Sequence, residues 1–516
     1  MNRHGSESYF VIGEGLLGES VGGRDRTLAA PVEAETAPFR FSRMGPSGIN
    51  HQLPDGTLTR LAQAVGRTGG GGDSNIPAGF TYLGQFVDHD LSFDKTAVTL
   101  GDRVSPTELL QARSPSLDLD SLYGAGPDDP GSEKFYEDDG IHLRIGKALD
   151  PGGGFMEGFD LPRGSGTTAA AKRRAIIPDP RNDENLAVAQ THAALIRFHN
   201  RVVDTLPSSV PIANRFERAR RSVTRHYQWM LRTDYLPRIC QPGVVNDVFT
   251  NGRKAFEVGV TPTDVPTMPI EFSVAAFRLG HSMIRGAYNW NKIFDDGSGT
   301  LDWLFIFSAG SGNLGGAARL DGTWVADFRR LYDFSEAGRD DLVVPDAKFN
   351  FARRIDTKLA PPLQDLPKLP VAENDLALRN LKRARMVRLA TGQQMATFLK
   401  SKGVTLTKLT AAQIREGRNG ATLEGLTTTQ RSALVQDTPL WFYILREAEL
   451  NQGRLKGVGA RIVAETFHRA MEGSQTSIVR NPTWRPRLGP NNTTFRMVDL
   501  LLFAFQGRKN RLAPLG

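Results

Sequence analysis

A mainly α fold, one large helical domain with long loops and little β, is what this sequence of 516 residues predicts. Three observations carry that expectation. Apolar residues recur at helical spacing in several long segments. Strand-like alternation is short and rare. No internal repeat has a solenoid period. Hydrophobic residues make up 40% of the chain before its 53 glycines are counted, so a sizeable core can form.

Taken in chain order, residues 1–75 are rich in Gly, Pro and Arg and end in the run Gly69–Gly72. They read as an extended N-terminal arm lying on the main body and partly disordered. The domain itself is placed at 76–506, with a C-terminal tail at 507–516. Asn185–Leu206 sets Leu186, Ala189, Ala193, Ile196 and Val203 at helical spacing, and Pro207 and Pro211 punctuate its end. Phe216–Tyr235 is a second long helix, with Val223, Tyr227, Met230 and Leu231 on one side. Phe272–Ile284, Leu376–Val387, Leu440–Ala448 and Gly457–Met471 are further helices. Trp303–Phe307 is the best strand. Long loops between such elements are usually functional.

Charge and cysteine usage exclude several classes. There are 64 Lys and Arg against 56 Asp and Glu, a net charge of +8, but no dense basic run, so no nucleic-acid partner is expected. The single cysteine, Cys240, rules out an intramolecular disulfide and a Cys-based zinc or iron–sulfur site. That fits a reducing cytosol, with export without a recognisable signal peptide as the other option. The N-terminus lacks a charged-then-apolar leader pattern. No apolar run is long enough for a transmembrane segment. Cys240 follows the apolar stretch Tyr235–Ile239 and reads as a buried small hydrophobe.

Four segments concentrate chemistry. Gly84-Gln85-Phe86-Val87-Asp88-His89-Asp90-Leu91-Ser92-Phe93 groups two carboxylates, an amide and an imidazole. On a helix, Gln85 and His89 share a face, while Asp88 and Asp90 point elsewhere. A histidine among apolar residues is commonly a satisfied core residue, but this crowding of ionisable groups favours a site. Asp179-Pro180-Arg181-Asn182-Asp183-Glu184 precedes a long helix; taken alone it reads best as a cap, with Asp179 or Asn182 at the N-cap. Phe277-Arg278-Leu279-Gly280-His281-Ser282-Met283 alone reads as a core histidine beside a helix break. In Ser114-Pro115-Ser116-Leu117-Asp118-Leu119-Asp120, alternating oxygen side chains suit a hard cation such as calcium and equally suit a plain Asp/Ser turn.

Together, and in this order, the four segments resemble the animal-type haem peroxidases of the peroxidase–cyclooxygenase superfamily, to which myeloperoxidase and lactoperoxidase belong. GQFVDHDLSF is similar to the family's distal-histidine motif, SPSLDLDSLYG to its calcium loop, and RNDENLAVAQTHAALIRFHNRV to its distal-arginine segment. AAFRLGHSMIRG resembles the proximal-histidine helix, DLALRNLKRAR the segment of the proximal asparagine, and VGARIVAETF a later helix. The likeness covers roughly residues 76–506. The lack of disulfides departs from the vertebrate enzymes and points to a bacterial-type member.

The resemblance implies a haem b enzyme that reduces hydrogen peroxide and oxidises small anionic or phenolic donors through a ferryl intermediate. It implies His89 as distal acid–base catalyst, Arg181 as stabiliser of the breaking O–O bond, and Gln85 as holder of a water or halide. His281 would ligate the iron, Asn380 would accept a hydrogen bond from its other ring nitrogen, and Arg278 and Arg383 would pair with haem propionates. Asp88 and Glu184 match the carboxylates that form ester bonds to haem. Calcium would be held by Asp90, Ser114, the Ser116 carbonyl, Asp118 and Asp120. Asn185 stands where myeloperoxidase has a methionine that forms a sulfonium link, a bond an amide cannot make. Iodide, thiocyanate, bromide and phenols are therefore the expected donors, with chloride poor.

Two other functions are weighed. A fatty-acid dioxygenase of the same superfamily would need a radical tyrosine three residues before the proximal histidine; that position is Arg278, and Tyr288 does not match it. A non-catalytic haem- or calcium-binding scaffold would not need the set His89, Arg181 and His281. The sequence assigns no oligomeric state.

Overall fold

The structure, a computed structural model, describes residues 39–48, 52–66, 70–96, 98–367, 369–371 and 373–516. Residues 1–38 of the expected arm lie outside the described residues. Eight helices position the site: α1 (Asp55–Gly66), α2 (Gly79–Leu91), α3 (Leu186–Asp204), α4 (Ile212–Met230), α5 (Leu376–Met386), α6 (Leu440–Glu449), α7 (Gly457–Glu472) and α8 (Met497–Ala504). Sheet is confined, among the described residues, to four two-stranded ladders, so the mainly α expectation holds.

The centre is α3, buried on nearly all sides from Leu186 to Phe198. Asn185 caps it, its side chain accepting from Val188 N at 3.0 Å, which satisfies one of the helix's open N–H groups. Helices α2, α4 and α8 pack on α3, while α5, α6 and α7 form a second group around the segment that carries His281. A fully buried leucine such as Leu195 contributes about 2–5 kcal/mol against truncation to alanine. The hydrophobic cluster runs from α1 through α8 without interruption, so the described residues share one core.

Helix α2 carries the GQFVDHD motif, and its glycine has a packing reason. A Cβ at Gly84 would collide with the hydroxyl of Tyr235. Tyr235 closes a π-helical turn, Leu231–Tyr235, at the end of α4, and its ring also reaches Phe80, Phe277 and Phe467. Turns of this kind re-aim a side chain within a helix. Here the result is an aromatic wedge between α2, the segment before His281, and α7.

Three expectations need correction. Phe272–Ile284 is not one helix but three short pieces, Ile270–Ser273, Ala276–Leu279 and Gly280–Met283. The break lies at Ala275, whose φ of −134° leaves the helical region. The carbonyl of Ser273 is turned to accept from Arg278 Nε at 2.9 Å. Trp303–Phe307 is not a strand: Leu301–Ile306 is a helical turn capped by Thr300, whose hydroxyl accepts from Trp303 N. Five apolar residues are too few to show a period. Finally, part of the segment read as an extended arm is helix α1, which buries Leu58, Leu61 and Val65 against α5. Cys240 is buried as expected, and burial pushes its thiol up. No helix among the described residues is long and apolar enough to cross a membrane.

Candidate active site

His89 lies in the last turn of α2 and is fully buried. Its Nδ1 is 2.9 Å from Oδ1 of Asn182. Its Nε2 makes no hydrogen bond within the chain, and Glu184 Oε1 stands 3.5 Å away. A buried imidazole with one nitrogen anchored and the other open is set up to exchange a proton with something placed between these residues.

Arg181 comes from the 3-10 turn Pro180–Asp183, which packs on both α2 and α3. Its guanidinium meets Asp179 at two points, Nε–Oδ1 at 3.0 Å and Nη2–Oδ2 at 2.7 Å. Nη2 also donates to the main-chain oxygen of His89 at 3.0 Å, and the group lies 4.2 Å over the ring of Phe93. Burial works against the charge of Arg181, but Asp179 outweighs it. Burial likewise opposes ionisation of Asp179, yet Arg181 and Arg113 hold its carboxyl well below the usual range. The cap expected at Asp179 or Asn182 for the long helix falls instead on Asn185, while Asp179 caps the 3-10 turn by accepting from Arg181 N.

Gln85, one turn before His89, donates through Nε2 to Glu184 Oε1 and accepts at Oε1 from Asn185 Nδ2 at 2.9 Å. The structure thus brings Gln85, His89, Arg181 and Glu184 together. Asp88 is half-buried beside them; burial raises its carboxyl, and His89, Arg278 and Arg181 pull it back. Arg278 belongs to the His281 segment, so Asp88 feels both halves of the site.

On that second half, the turn Gly280–Met283 packs against α2 and presents His281, almost fully buried. Asn380 on α5 approaches His281 Nδ1 at 3.0 Å through Nδ2, while its Oδ1 accepts from Arg278 Nη1 at 3.2 Å. An amide nitrogen can only donate, so here Asn380 donates to His281 Nδ1, the reverse of the acceptance expected of it, because its oxygen is taken by Arg278. Burial, and then Arg278, push His281 down to about 3, which keeps the ring neutral and able to ligate a metal. Arg383 is ion-paired with Asp94, a residue the sequence did not single out.

The Ser114–Asp120 loop is buried throughout at Ser114, Ser116, Asp118 and Asp120. Asp90 Oδ1 accepts from Ser121 N and Oγ at 3.1 and 2.9 Å, and its Oδ2 has no hydrogen-bond partner. Burial, and then the facing carboxylate of Asp120, push Asp90 up to about 7. Asp118 is turned elsewhere: it accepts from Ser474 Oγ at 2.6 Å and Gln475 N at 3.3 Å. Among the described residues no three His, Cys, Asp or Glu form a ready metal cluster. The loop therefore joins Asp90 to Asp120 and places Asp118 with the 474–475 turn.

A helical body with two buried histidines presented from opposing segments defines the class of this site, and comparison with known proteins assigns the family. Residues 86–475 match the animal haem peroxidase family, and the chain belongs to it. Thyroid peroxidase of Rattus norvegicus is 27% identical over 193 residues, which is 35% of this chain and 20% of that protein; the Mus musculus protein is 28% identical over 198 residues. The chain thus matches about a fifth of the length of these relatives. Among solved structures, peroxidase A from Dictyostelium discoideum superposes with a TM-score of 0.57 at 15% identity, covering 92% of this chain and 94% of that one. A fatty acid alpha-dioxygenase from Oryza sativa gives 0.54 at 12% identity, covering 95% and 86%. At such identities these two likenesses speak for the fold alone.

Several residues of the site escaped sequence reasoning. Asn182 reads as a cap and Asn185 as an amide unable to form a sulfonium link, and nothing local marks either as an anchor for His89 or Gln85. Asp179 was visible only as a cap. Arg113 and Asp94 act through contacts 66 and 289 residues distant in sequence.

Proposed function

We propose that this chain is a haem peroxidase that reduces hydrogen peroxide and oxidises small donors. The observation that carries the reading is His89: a buried imidazole, anchored at Nδ1, with Nε2 open, whose main-chain oxygen is held by the permanently charged Arg181. The residues fit a haem. Neutral His281 would hold the iron, and Arg278 and Arg383 would supply positive charge for the haem carboxylates, Arg383 sharing its charge with Asp94. Asp88 and Glu184 are the carboxylates for ester attachment, which would show as haem remaining on the polypeptide after acid–acetone extraction. When bound, the haem supplies the two electrons that split the O–O bond.

The chain supplies the rest. Nε2 of His89 takes the proton from the near oxygen of the peroxide and returns it to the far oxygen, which leaves as water. Arg181 stabilises negative charge on that departing oxygen in a site closed to solvent. Gln85, fixed by Glu184 and Asn185, limits the space beside His89. A calcium ion between Asp90 and Asp120 would neutralise the facing carboxylates and satisfy Asp90 Oδ2.

The same fold serves fatty acid alpha-dioxygenases, but Arg278 occupies the place of the radical tyrosine, and Tyr288 is engaged with Tyr82 at 2.8 Å. That supports the peroxidase over the dioxygenase. The test is direct. Purified protein loaded with haem should oxidise iodide or a phenol only when peroxide is present, and His281→Ala should lose the Soret band. Oxygen uptake with linoleate and no peroxide-dependent oxidation would move the chain to the dioxygenase reading.

A further inference from the structure

We propose that Asn182 is a positioning residue that fixes the tautomer of His89. The inference rests on the peroxidase reading above and adds a residue to its machinery. An amide oxygen can only accept, so the 2.9 Å contact between Asn182 Oδ1 and His89 Nδ1 is a hydrogen bond when Nδ1 carries the proton. A neutral imidazole protonated at Nδ1 has its lone pair on Nε2, the nitrogen that the chain leaves open. The opposite tautomer would put a proton on Nε2 and block it from accepting one.

The setting makes this bond decisive. Asn182 is fully buried and sits in the 3-10 turn that also carries Arg181, one residue away. Asp179 locks that turn at its start, accepting from Arg181 N at 3.0 Å. Its end is tied to the loop after residue 307, where Gly310 N donates to Asp183 O at 2.9 Å and Ser308 Oγ to Glu184 O at 3.1 Å. A rigid turn thus delivers a cation and an imidazole anchor as one unit. Glu184 Oε1 stands 3.5 Å from the open nitrogen and makes no hydrogen bond to it.

Cyanide reads this function without turnover. Hydrogen cyanide must give up its proton as it binds ferric haem, and Nε2 of His89 is the acceptor. Carbon monoxide binds the ferrous protein with no proton to transfer. In haem-loaded protein, Asn182→Leu should slow cyanide association by about 10- to 100-fold, the range typical of lost outer-shell partners. His89→Ala should slow it at least as much. Asn182→Asp, which still accepts from Nδ1, should stay within a few-fold of wild type, and carbon monoxide association should be unchanged in all three. If Asn182→Leu takes up no haem, Asn182→Ser, whose hydroxyl falls short of Nδ1, replaces it.

A wild-type cyanide rate in Asn182→Leu with a slow His89→Ala overturns the role of Asn182 and leaves the peroxidase reading standing. Equal slowing of cyanide and carbon monoxide in Asn182→Leu shows a merely structural role and overturns it too. A wild-type cyanide rate in His89→Ala means that His89 is not the proton acceptor, and the reading beneath the inference fails.

Discussion

Arg181 and Asp179 form a two-point ion pair in a site closed to solvent, and Asp179 shares its second oxygen with Arg113. Removing that carboxylate leaves two buried guanidiniums to share the loss. Asp179→Ala should therefore cost on the order of 3–5 kcal/mol in urea unfolding. The pH dependence has a definite sign. The folded pKa of Asp179 is depressed, so its contribution is present above the unfolded value near 4 and lost as pH falls toward the folded one. The difference between wild type and variant should shrink in acid; a constant difference would show that the cost is cavity formation.

Calcium should be found at about one ion per chain in undialysed, active protein. The geometry behind this is the Asp90–Asp120 pair with Asp90 Oδ2 unsatisfied. Because Asp90 adjoins His89, chelation should shift the haem spectrum as well as lower stability, and Asp120→Asn should weaken retention of the metal. Active protein free of calcium would show that the loop holds itself together through Ser121 and Ser474 instead.

The donor ranking follows from Asn185. Its amide caps α3 and holds Gln85, and it cannot form the sulfonium link that makes a haem a strong oxidant. Iodide and thiocyanate should be oxidised well, bromide less so, and chloride poorly in a monochlorodimedone assay across the halides. Efficient chlorination near neutral pH would reverse this ranking.

A second pH effect lies far from the site. Glu447 accepts from Val458 N and Gly459 N at the start of α7, and burial pushes it up to about 8. Its folded value exceeds the unfolded one near 4.3, so the folded state keeps a proton that the unfolded state has lost. Stability from this group falls as pH rises from about 4 to about 8, by up to roughly 1.4 kcal/mol per pH unit. Glu447→Gln keeps an acceptor and should flatten the profile over that window. An unchanged slope in the variant would assign the effect to other groups.

How much of this was legible depended on the length of the signal. Helices with a full apolar stripe, such as Leu186–Asp204 and Gly457–Glu472, were readable to within two residues of their ends. The pieces around His281 were not, because their course is set by tertiary bonds such as Arg278 to Ser273 O rather than by local preference. Helix α1 was hidden in a segment judged by its overall composition, although Leu58, Leu61 and Val65 carry the helical spacing. In the site, contiguous motifs gave Gln85, His89, Arg181 and Glu184. Of the anchors that make them work, Asn182 looked like an ordinary cap and Asn185 stood out only for the link it cannot form, and Asp94 met Arg383 only once the chain had folded.

The central claim is that His89 moves the proton in peroxide cleavage, and stopped-flow absorption of haem-loaded protein mixed with hydrogen peroxide tests it most directly. Wild type should show a rapid peroxide-dependent change in the Soret band. His89→Ala should keep its haem and a Soret band but react more slowly by about 10²–10⁴-fold, the usual contribution of general acid–base catalysis. A His89→Ala protein that binds haem normally and reacts with peroxide at the wild-type rate would contradict the account.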